Sequence, residues 1–417
     1  MTQESRVKPV LDVHEKPSIG LWITLSLQHL FAMFGATGLP ASTALTTSGI
    51  GTLTYLLITR GKIPAYLGSS FAFINPIIVL STTHNVETAM LGAFLASLVY
   101  GVVAMFIYKF GVNWLLKLLP PVVVGPIIIV IGLGLAPTAI DMAMNKTVDG
   151  AKVYDLKYFS VALITLLITI ICAVALRGFA KQIPVLLGIV FGYIVAVIAG
   201  LVNFQPVIDA PWFSLPKFTV PFVTYTPEWN IAALAMVPIA IVTINEHIGH
   251  QMVLSEVIGR NVLKDPGLHR SILADGTAMM FASLLGGPPS TTYGENIGVL
   301  AITRVFSVFV LGGAVFALIL SFVGKFSALI STIPSPVMGG VSILLFGIIA
   351  SSGLRMLVDE KVDLSINRNL VISSVIIVLG VGGAMLKFES IHFELPAMAL
   401  AAISGVLLNA FLPKKEK

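Results

Sequence analysis

Apolar stretches of about twenty residues, almost free of charge, recur from Ile19 to Leu412, and they decide which solvent this chain folds in. A helix rises about 1.5 Å per residue, so about twenty residues cross a hydrocarbon core of about 30 Å. Charged residues make up only 11% of the 417 positions and the mean hydropathy is +0.96, where a soluble domain carries about 25% charged residues. In lipid every backbone polar group has to be met inside the protein, which restricts spanning structure to helices and closed barrels. The chain therefore reads as an all-α polytopic membrane protein.

Fourteen spans are expected: 19–39, 41–59, 66–80, 88–107, 119–137, 158–177, 183–202, 229–254, 270–286, 294–304, 306–323, 333–351, 369–386 and 395–412. Two of these, 66–80 and 294–304, are too short to cross alone. Each follows residues that do not favour regular helix, Ala65-Tyr-Leu-Gly-Ser-Ser70 and Gly286-Gly-Pro-Pro-Ser290. They are third in the first seven spans and third in the second seven. Paired interrupted segments at matching places point to a transporter of two inverted repeats with its site at the breaks. The expected division is a tail at 1–18, a first repeat at 19–202, a linker at 203–228, a second repeat at 229–412 and a tail at 413–417. In segments 3 and 10 a short extended piece is expected to run into a half-helix.

Charge tests the topology. With the N-terminus in the cytoplasm, only Lys146, Lys152, Lys157, Lys217, Lys325 and Lys387 of the 25 basic residues fall outside. The excess of inner basic residues supports fourteen spans with both termini cytoplasmic. The formal charge of +5 is thus read as orientation, with no nucleic-acid partner. The polar start, with Glu4, Asp12 and Glu15, is not read as a cleavable signal. The single Cys172 excludes a disulfide framework. No metal cluster, Ser/His/Asp constellation or nucleotide-binding motif stands out, which argues against an enzyme. Converging half-helices argue against a simple channel.

Ionisable groups inside spans are costly unless paired or wet, so each is a candidate. Glu246 and His250, four apart in Asn245-Glu-His-Ile-Gly-His250, share a helix face. They read either as a structural pair or as groups that hold and relay a proton. Glu295, followed by Asn296, would begin the tenth segment's half-helix, where unpaired N–H groups steady a carboxylate; the alternative is a simple capping acid. Ser70, Phe71 and Phe73 give segment 3 a hydroxyl and two aromatic rings. A ring beside two carboxylates suits a planar, uncharged ligand with N–H donors. His29 and Asp275 are further buried polar positions, read equally as ties between helices.

Five stretches together resemble one family. They are Leu27-Gln-His-Leu-Phe-Ala-Met-Phe-Gly-Ala-Thr37, Gly61-Lys-Ile-Pro-Ala-Tyr-Leu-Gly-Ser-Ser-Phe-Ala-Phe73, Asn245-Glu-His-Ile-Gly-His250, Asp265-Pro-Gly-Leu-His-Arg270 and Thr291-Thr-Tyr-Gly-Glu-Asn-Ile-Gly-Val299. These are similar to the nucleobase–cation symporters, also called nucleobase–ascorbate transporters. The glutamate in Thr-Tyr-Gly-Glu-Asn resembles the uracil-carrying branch, where many purine carriers have glutamine. The resemblance implies two inverted seven-span repeats, with spans 1–4 and 8–11 as a core and 5–7 and 12–14 as a gate. It implies short antiparallel strands opening spans 3 and 10, Ser69–Phe71 against Thr291–Tyr293. It further implies proton symport of uracil by movement of core against gate, no cofactor beyond the coupling proton, a homodimer in lipid and a bacterial cytoplasmic (inner) membrane. By motif, Glu246 and Glu295 would bind the base, Phe71 and Tyr293 would contact its ring, and Ser70 and Gly294 would contribute from the strands. Ala36 would lie against the substrate and His250 would join the proton network. Phe346 stands where relatives often carry tyrosine.

One stretch departs from the family pattern. Gly35-Ala-Thr-Gly-Leu-Pro40 runs almost directly into Ala41-Ser-Thr-Ala-Leu-Thr-Thr-Ser48, where family members continue for about two more helical turns. The alternatives carried forward are a carrier of xanthine or another purine, or a member whose transport is impaired by this short hairpin.

Overall fold

The computed structural model describes residues 11–20, 22–23, 26, 40–148, 151–177, 184–293, 300, 305–307, 312–388 and 393–413. In chain order the elements are α1 (Ala41–Ile58), β1 (Leu67–Ser69), α2 (Phe71–Thr83), α3 (Val86–Phe110), α4 (Asn113–Leu118), α5 (Pro121–Gly134) and α6 (Ala136–Met144). The hairpin β2 (Asn145–Val148) and β3 (Ala151–Tyr154) follows, then α7 (Leu156–Val174), α8 (Pro184–Ile198) and α9 (Gln205–Asp209). A 3₁₀ turn at Ile231–Met236 leads to α10 (Ile239–Ile258), α11 (Leu268–Leu284), β4 (Ser290–Thr292), α12 (Gly313–Ser321) and α13 (Gly324–Ser331). The last elements are α14 (Ser335–Asp359), α15 (Asn367–Val381), β5 (Leu386–Phe388), β6 (Phe393–Leu395) and α16 (Ala397–Phe411).

Among the described residues, five helical stretches are long and apolar enough to cross a membrane, including Val86–Phe110, Pro121–Met144 and Ser335–Asp359. Local chemistry sets several of their ends. Asn85 accepts from the Thr88 N–H at 2.7 Å to open α3, with Glu87 in the first turn, and Gly111 at φ +78° closes it. Asp155 opens α7 by accepting from the Tyr158 N–H at 3.0 Å. The eighth expected span, 229–254, is divided in the structure. Pro238, which has no N–H to donate, separates the 3₁₀ turn from α10, and α10 then runs on to Ile258.

The chain forms two compact units, residues 1–112 with 212–324, and 113–211 with 325–417. In the first, α11 packs against α3 and α1, and α1 also packs against α12. Gly276 permits the α11–α3 approach, since a Cβ there would lie 2.3 Å from Tyr100 Cβ. Residues 212–228, read from the sequence as linker, are tied into this unit. The Thr43 hydroxyl donates to Lys217 O at 2.8 Å, Ser214 N donates to Phe322 O at 2.9 Å, and Thr219 N donates to Leu285 O at 3.2 Å.

In the second unit α14 packs against α5, α6 and α7, while α15 packs against α16 and α5. Small residues bring α5 and α14 together: a Cβ on Gly353 would meet Gly125 O at 2.6 Å. Arg368 donates to Asn409 O and Oδ1 at 2.8 and 2.7 Å, and Asn409 Nδ2 donates to Lys117 O and Leu118 O. Apolar side chains such as Leu167 and Val174 on α7 remain 56% and 78% exposed, as a lipid-facing helix requires.

Two strands buried in the first unit have few options for their backbone groups. β1 and β4 pair antiparallel, Leu67 opposite Thr292, Gly68 opposite Thr291 and Ser69 opposite Ser290, and Ser70 N extends the pairing to Pro289 O at 2.8 Å. On the other side of β1, the Ser48 hydroxyl of α1 donates to Leu67 O at 2.5 Å, and Leu67 N donates to Thr52 Oγ1 at 3.0 Å. On the other side of β4, the Asp275 carboxylate of α11 accepts from Thr292 N at 3.0 Å and from the Thr291 hydroxyl at 2.8 Å. The strands lie two residues and one residue earlier than the sequence suggested, because helix α2 already begins at Phe71.

Two outcomes follow for the folded protein in detergent, read by thermal unfolding. Gly276→Ala forces a contact against Tyr100 and should lower stability by about 1–3 kcal/mol, whereas Gly101→Ala, with nothing within 4 Å of its Cβ, should leave it level or raise it. Asp275→Ala should cost about 1–3 kcal/mol by orphaning the Thr292 N–H, and Asp275→Asn should recover part of that because its carbonyl still accepts.

Candidate functional site

The candidate residues that the structure brings together lie in the first unit, around the point where β1 and β4 stop and helix begins. Phe71 is the first residue of α2, and Tyr293 directly follows β4. Both are buried, 7% and 4% exposed, and their rings lie 5.5 Å apart at 48°. The Tyr293 hydroxyl donates to Ser69 O at 2.6 Å, so β1 fixes the ring that follows β4. Ser70 is buried, and its hydroxyl has no hydrogen-bond partner among the described residues. A buried hydroxyl in that condition is suited to meeting a polar atom brought from outside.

Helix α10 supplies the ionisable groups. Glu246 Oε1 lies 4.0 Å from His250 Nε2, one turn apart, and both side chains are nearly buried at 15% and 18%. His247 faces inward from the same helix and is fully buried. Its Nδ1 lies 3.0 Å from Thr292 Oγ1, and its Nε2 lies 3.0 Å from Ser271 Oγ. His250 Nδ1 reaches the same Thr292 hydroxyl at 3.3 Å. Asp275, also fully buried, lies 3.4 Å from His247 Nδ1. Tyr55 of α1 sets its ring against His247, centroids 6.3 Å apart, and accepts from Gln251 Nε2 at 3.1 Å.

The site thus combines an aromatic pair and an uncommitted hydroxyl at the strand bridge with a carboxylate–imidazole pair on α10. Aromatic faces receive a planar ring, the carboxylate accepts N–H donors, and each imidazole offers nitrogens that can donate or accept. Of the positions named from sequence, Ser70, Phe71, Glu246, His250, Asp275 and Tyr293 lie together in this unit. Phe346 belongs to the second unit, buried on α14. His29, Ala36, Gly294, Glu295 and Asn296 lie outside the described residues. The sequence reading passed over His247 and Thr292. The signal was present, because residues three apart on a helix share a face, so His247 and His250 both point toward one strand.

Comparison with known proteins gives this geometry its relatives. The Permease family profile matches residues 20–388. A protein named uracil permease from Bacillus subtilis (strain 168) is 61% identical over 423 aligned positions, covering 99% of this chain and 97% of the relative. The uracil permease of Bacillus caldolyticus is 63% identical over 416 positions, covering 97% and 95%. That of Escherichia coli (strain K12) is 46% identical over 410, covering 96% and 93%. Among solved structures, the transmembrane domain of the cyanobacterial bicarbonate transporter BicA superposes with a TM-score of 0.60 at 15% identity, covering 92% of this chain and 94% of that one. SLC26A9 gives 0.64 at 13% identity, and this chain covers 63% of its length. These distant likenesses concern the fold alone, a mostly helical membrane-transporter fold. With matches of this extent, the chain belongs to the permease family of nucleobase–ascorbate transporters, and it is a multi-pass membrane transporter and not an enzyme.

Proposed function

We propose that this protein imports uracil across the bacterial cytoplasmic membrane by proton symport. The observation that carries the reading is the buried pair of rings, Phe71 and Tyr293, with the Glu246–His250 pair linked to the same strand by His250 at Thr292. It is supported by relatives named uracil permease at 61% and 63% identity. Uracil is a flat, neutral ring with N–H donors and carbonyl acceptors. It would lie against Phe71 and Tyr293, present N–H donors to Glu246 and Glu295, and meet Ser70, Gly294 and Ala36 at its edges. Asn296, His29 and Asp275 would support this arrangement.

In the same reading the chain has fourteen segments in two inverted repeats, 19–202 and 229–412, with both termini cytoplasmic. Residues 1–112 with 212–324 form the core that carries the ligand. Residues 113–211 with 325–417 form the gate, where Phe346 resides. Alternating access arises from movement of core against gate, in a homodimer embedded in lipid. The proton is the coupling ion: uracil is uncharged, so it gains nothing from membrane potential by itself. A proton carried with it contributes about 2.3 kcal/mol per 100 mV. Glu246 and His250 would hold that proton at the ligand.

In proteoliposomes, uracil should accumulate only under an inward proton gradient; equal uptake with the gradient collapsed would overturn proton coupling. Glu246→Gln should abolish accumulation while leaving the protein folded. A binding series of uracil, thymine, xanthine and hypoxanthine should rank uracil first, and a purine at the head would reassign the substrate. Phe71→Ala should weaken uracil binding by about 1–3 kcal/mol, the scale of one base-stacking contact.

A further inference from the structure

We propose that the Thr292 hydroxyl is a proton relay joining His250 to a fully buried resting site for the coupling proton, the His247–Asp275 pair. The inference rests on the reading of the chain as a proton-coupled nucleobase carrier and adds Thr292 and His247, which that reading does not use.

The relay uses one tautomer of each imidazole. With the Ser271 hydroxyl donating to Leu268 O at 3.1 Å, its oxygen accepts from His247 when Nε2 carries the proton, the two atoms lying 3.0 Å apart. In the neutral imidazole Nδ1 is then the acceptor. Among the described residues, the Thr292 hydroxyl lies within reach of it at 3.0 Å. Thr292 Oγ1 in turn has a lone pair for His250 Nδ1–H at 3.3 Å. One hydroxyl therefore stands between two imidazoles, accepting from one and donating to the other.

That arrangement moves a charge without moving a side chain. When His250 is charged, its Nδ1 proton passes to Thr292 Oγ1 as the hydroxyl's own proton passes to His247 Nδ1. One O–H bond forms while another breaks, Thr292 is unchanged, and the positive charge has gone from His250 to His247. There it lies 3.4 Å from Asp275 Oδ2. Asp275 already accepts from two donors of β4 and is the acidic partner of the pair. Among the described residues, the other titratable groups facing the pair are Tyr55 from α1, Tyr100 from α3, and Glu246 and His250 on the same helix. Because Thr292 is also the last residue of β4, the proton's position is felt next to Tyr293.

The test uses the full chain in lipid nanodiscs, with uracil affinity measured by calorimetry across the histidine range, about pH 5 to 8. A ligand that binds with one proton changes its Kd by about tenfold per pH unit. Thr292→Val keeps the shape and the backbone N–H to Asp275 but removes the hydroxyl. Wild type and Thr292→Ser should show the slope; Thr292→Val and His247→Gln should bind uracil with the slope flattened. If Thr292 only packs, Thr292→Val will weaken binding equally at every pH and keep the wild-type slope, which overturns the relay. Should Thr292→Val fail to fold, His247→Gln in the same titration decides. A flat slope in the wild type instead rejects proton-coupled binding itself, and a preference for another base is met by repeating the titration with that base.

Discussion

A strand that water cannot reach has to find a protein partner for each backbone N–H and C=O, and this requirement governs the first unit. β1 and β4 are only three residues each, so pairing with one another satisfies one edge of each strand. The outer edges are met by side chains from flanking helices: Ser48 and Thr52 of α1 on one side, Asp275 of α11 on the other. Hydroxyls and a carboxylate that would be burdens within an apolar helix are here required by the backbone beside them. Non-helical chain at membrane depth is tolerable because these groups are in place.

The same requirement builds the site. Where a strand yields to a helix, the first-turn N–H groups have no intrahelical partner and the dipole is positive. Phe71 stands at such a point, and Tyr293 is held beside it by its bond to Ser69 O. The Tyr293 ring is positioned by the opposite strand and lies against Phe71, which ties the aromatic pair to the backbone bridge. Glu246 and His250 come from α10, which is held to β4 through Thr292. Binding chemistry and fold bracing thus share residues, and a change at Asp275 or Thr292 acts on both.

Much of this was legible in the sequence because lipid leaves so few options. Long uncharged stretches declare the membrane class, and Gly286-Gly-Pro-Pro289 cannot be regular helix. The groups at Ser70, Phe71, Glu246, His250 and Asp275 stood out because polar or aromatic residues inside or beside a span need a reason, and Tyr293 came from the family resemblance of its motif. What escaped was three-dimensional pairing. His247 was passed over because one histidine in a motif already had an obvious partner four residues away; its own partners, Ser271 and Thr292, lie 24 and 45 positions on. Thr292 looked like ordinary strand composition. The strand ends were displaced by one or two residues because nothing local to Ser69-Ser70-Phe71 says where the helix takes over; the pairing with Ser290 and Pro289 decides it.

The two units spend their polar groups differently, and that bears on how transport could work. Among the described residues, the fully buried acid and base are Asp275 and His247, both in the first unit. The second unit is held by close glycine contacts such as Gly353 on Gly125 and by the Arg368–Asn409 cluster. Separating β4 from α11 would strand the Thr292 N–H and the Asp275 carboxylate, at about 1–3 kcal/mol for each unsatisfied group. A unit braced this way resists internal rearrangement. The proposed alternating access therefore calls for the first unit to move as one body, carrying ligand, proton and strand bridge together, with bonds such as Tyr293 to Ser69 kept throughout the cycle.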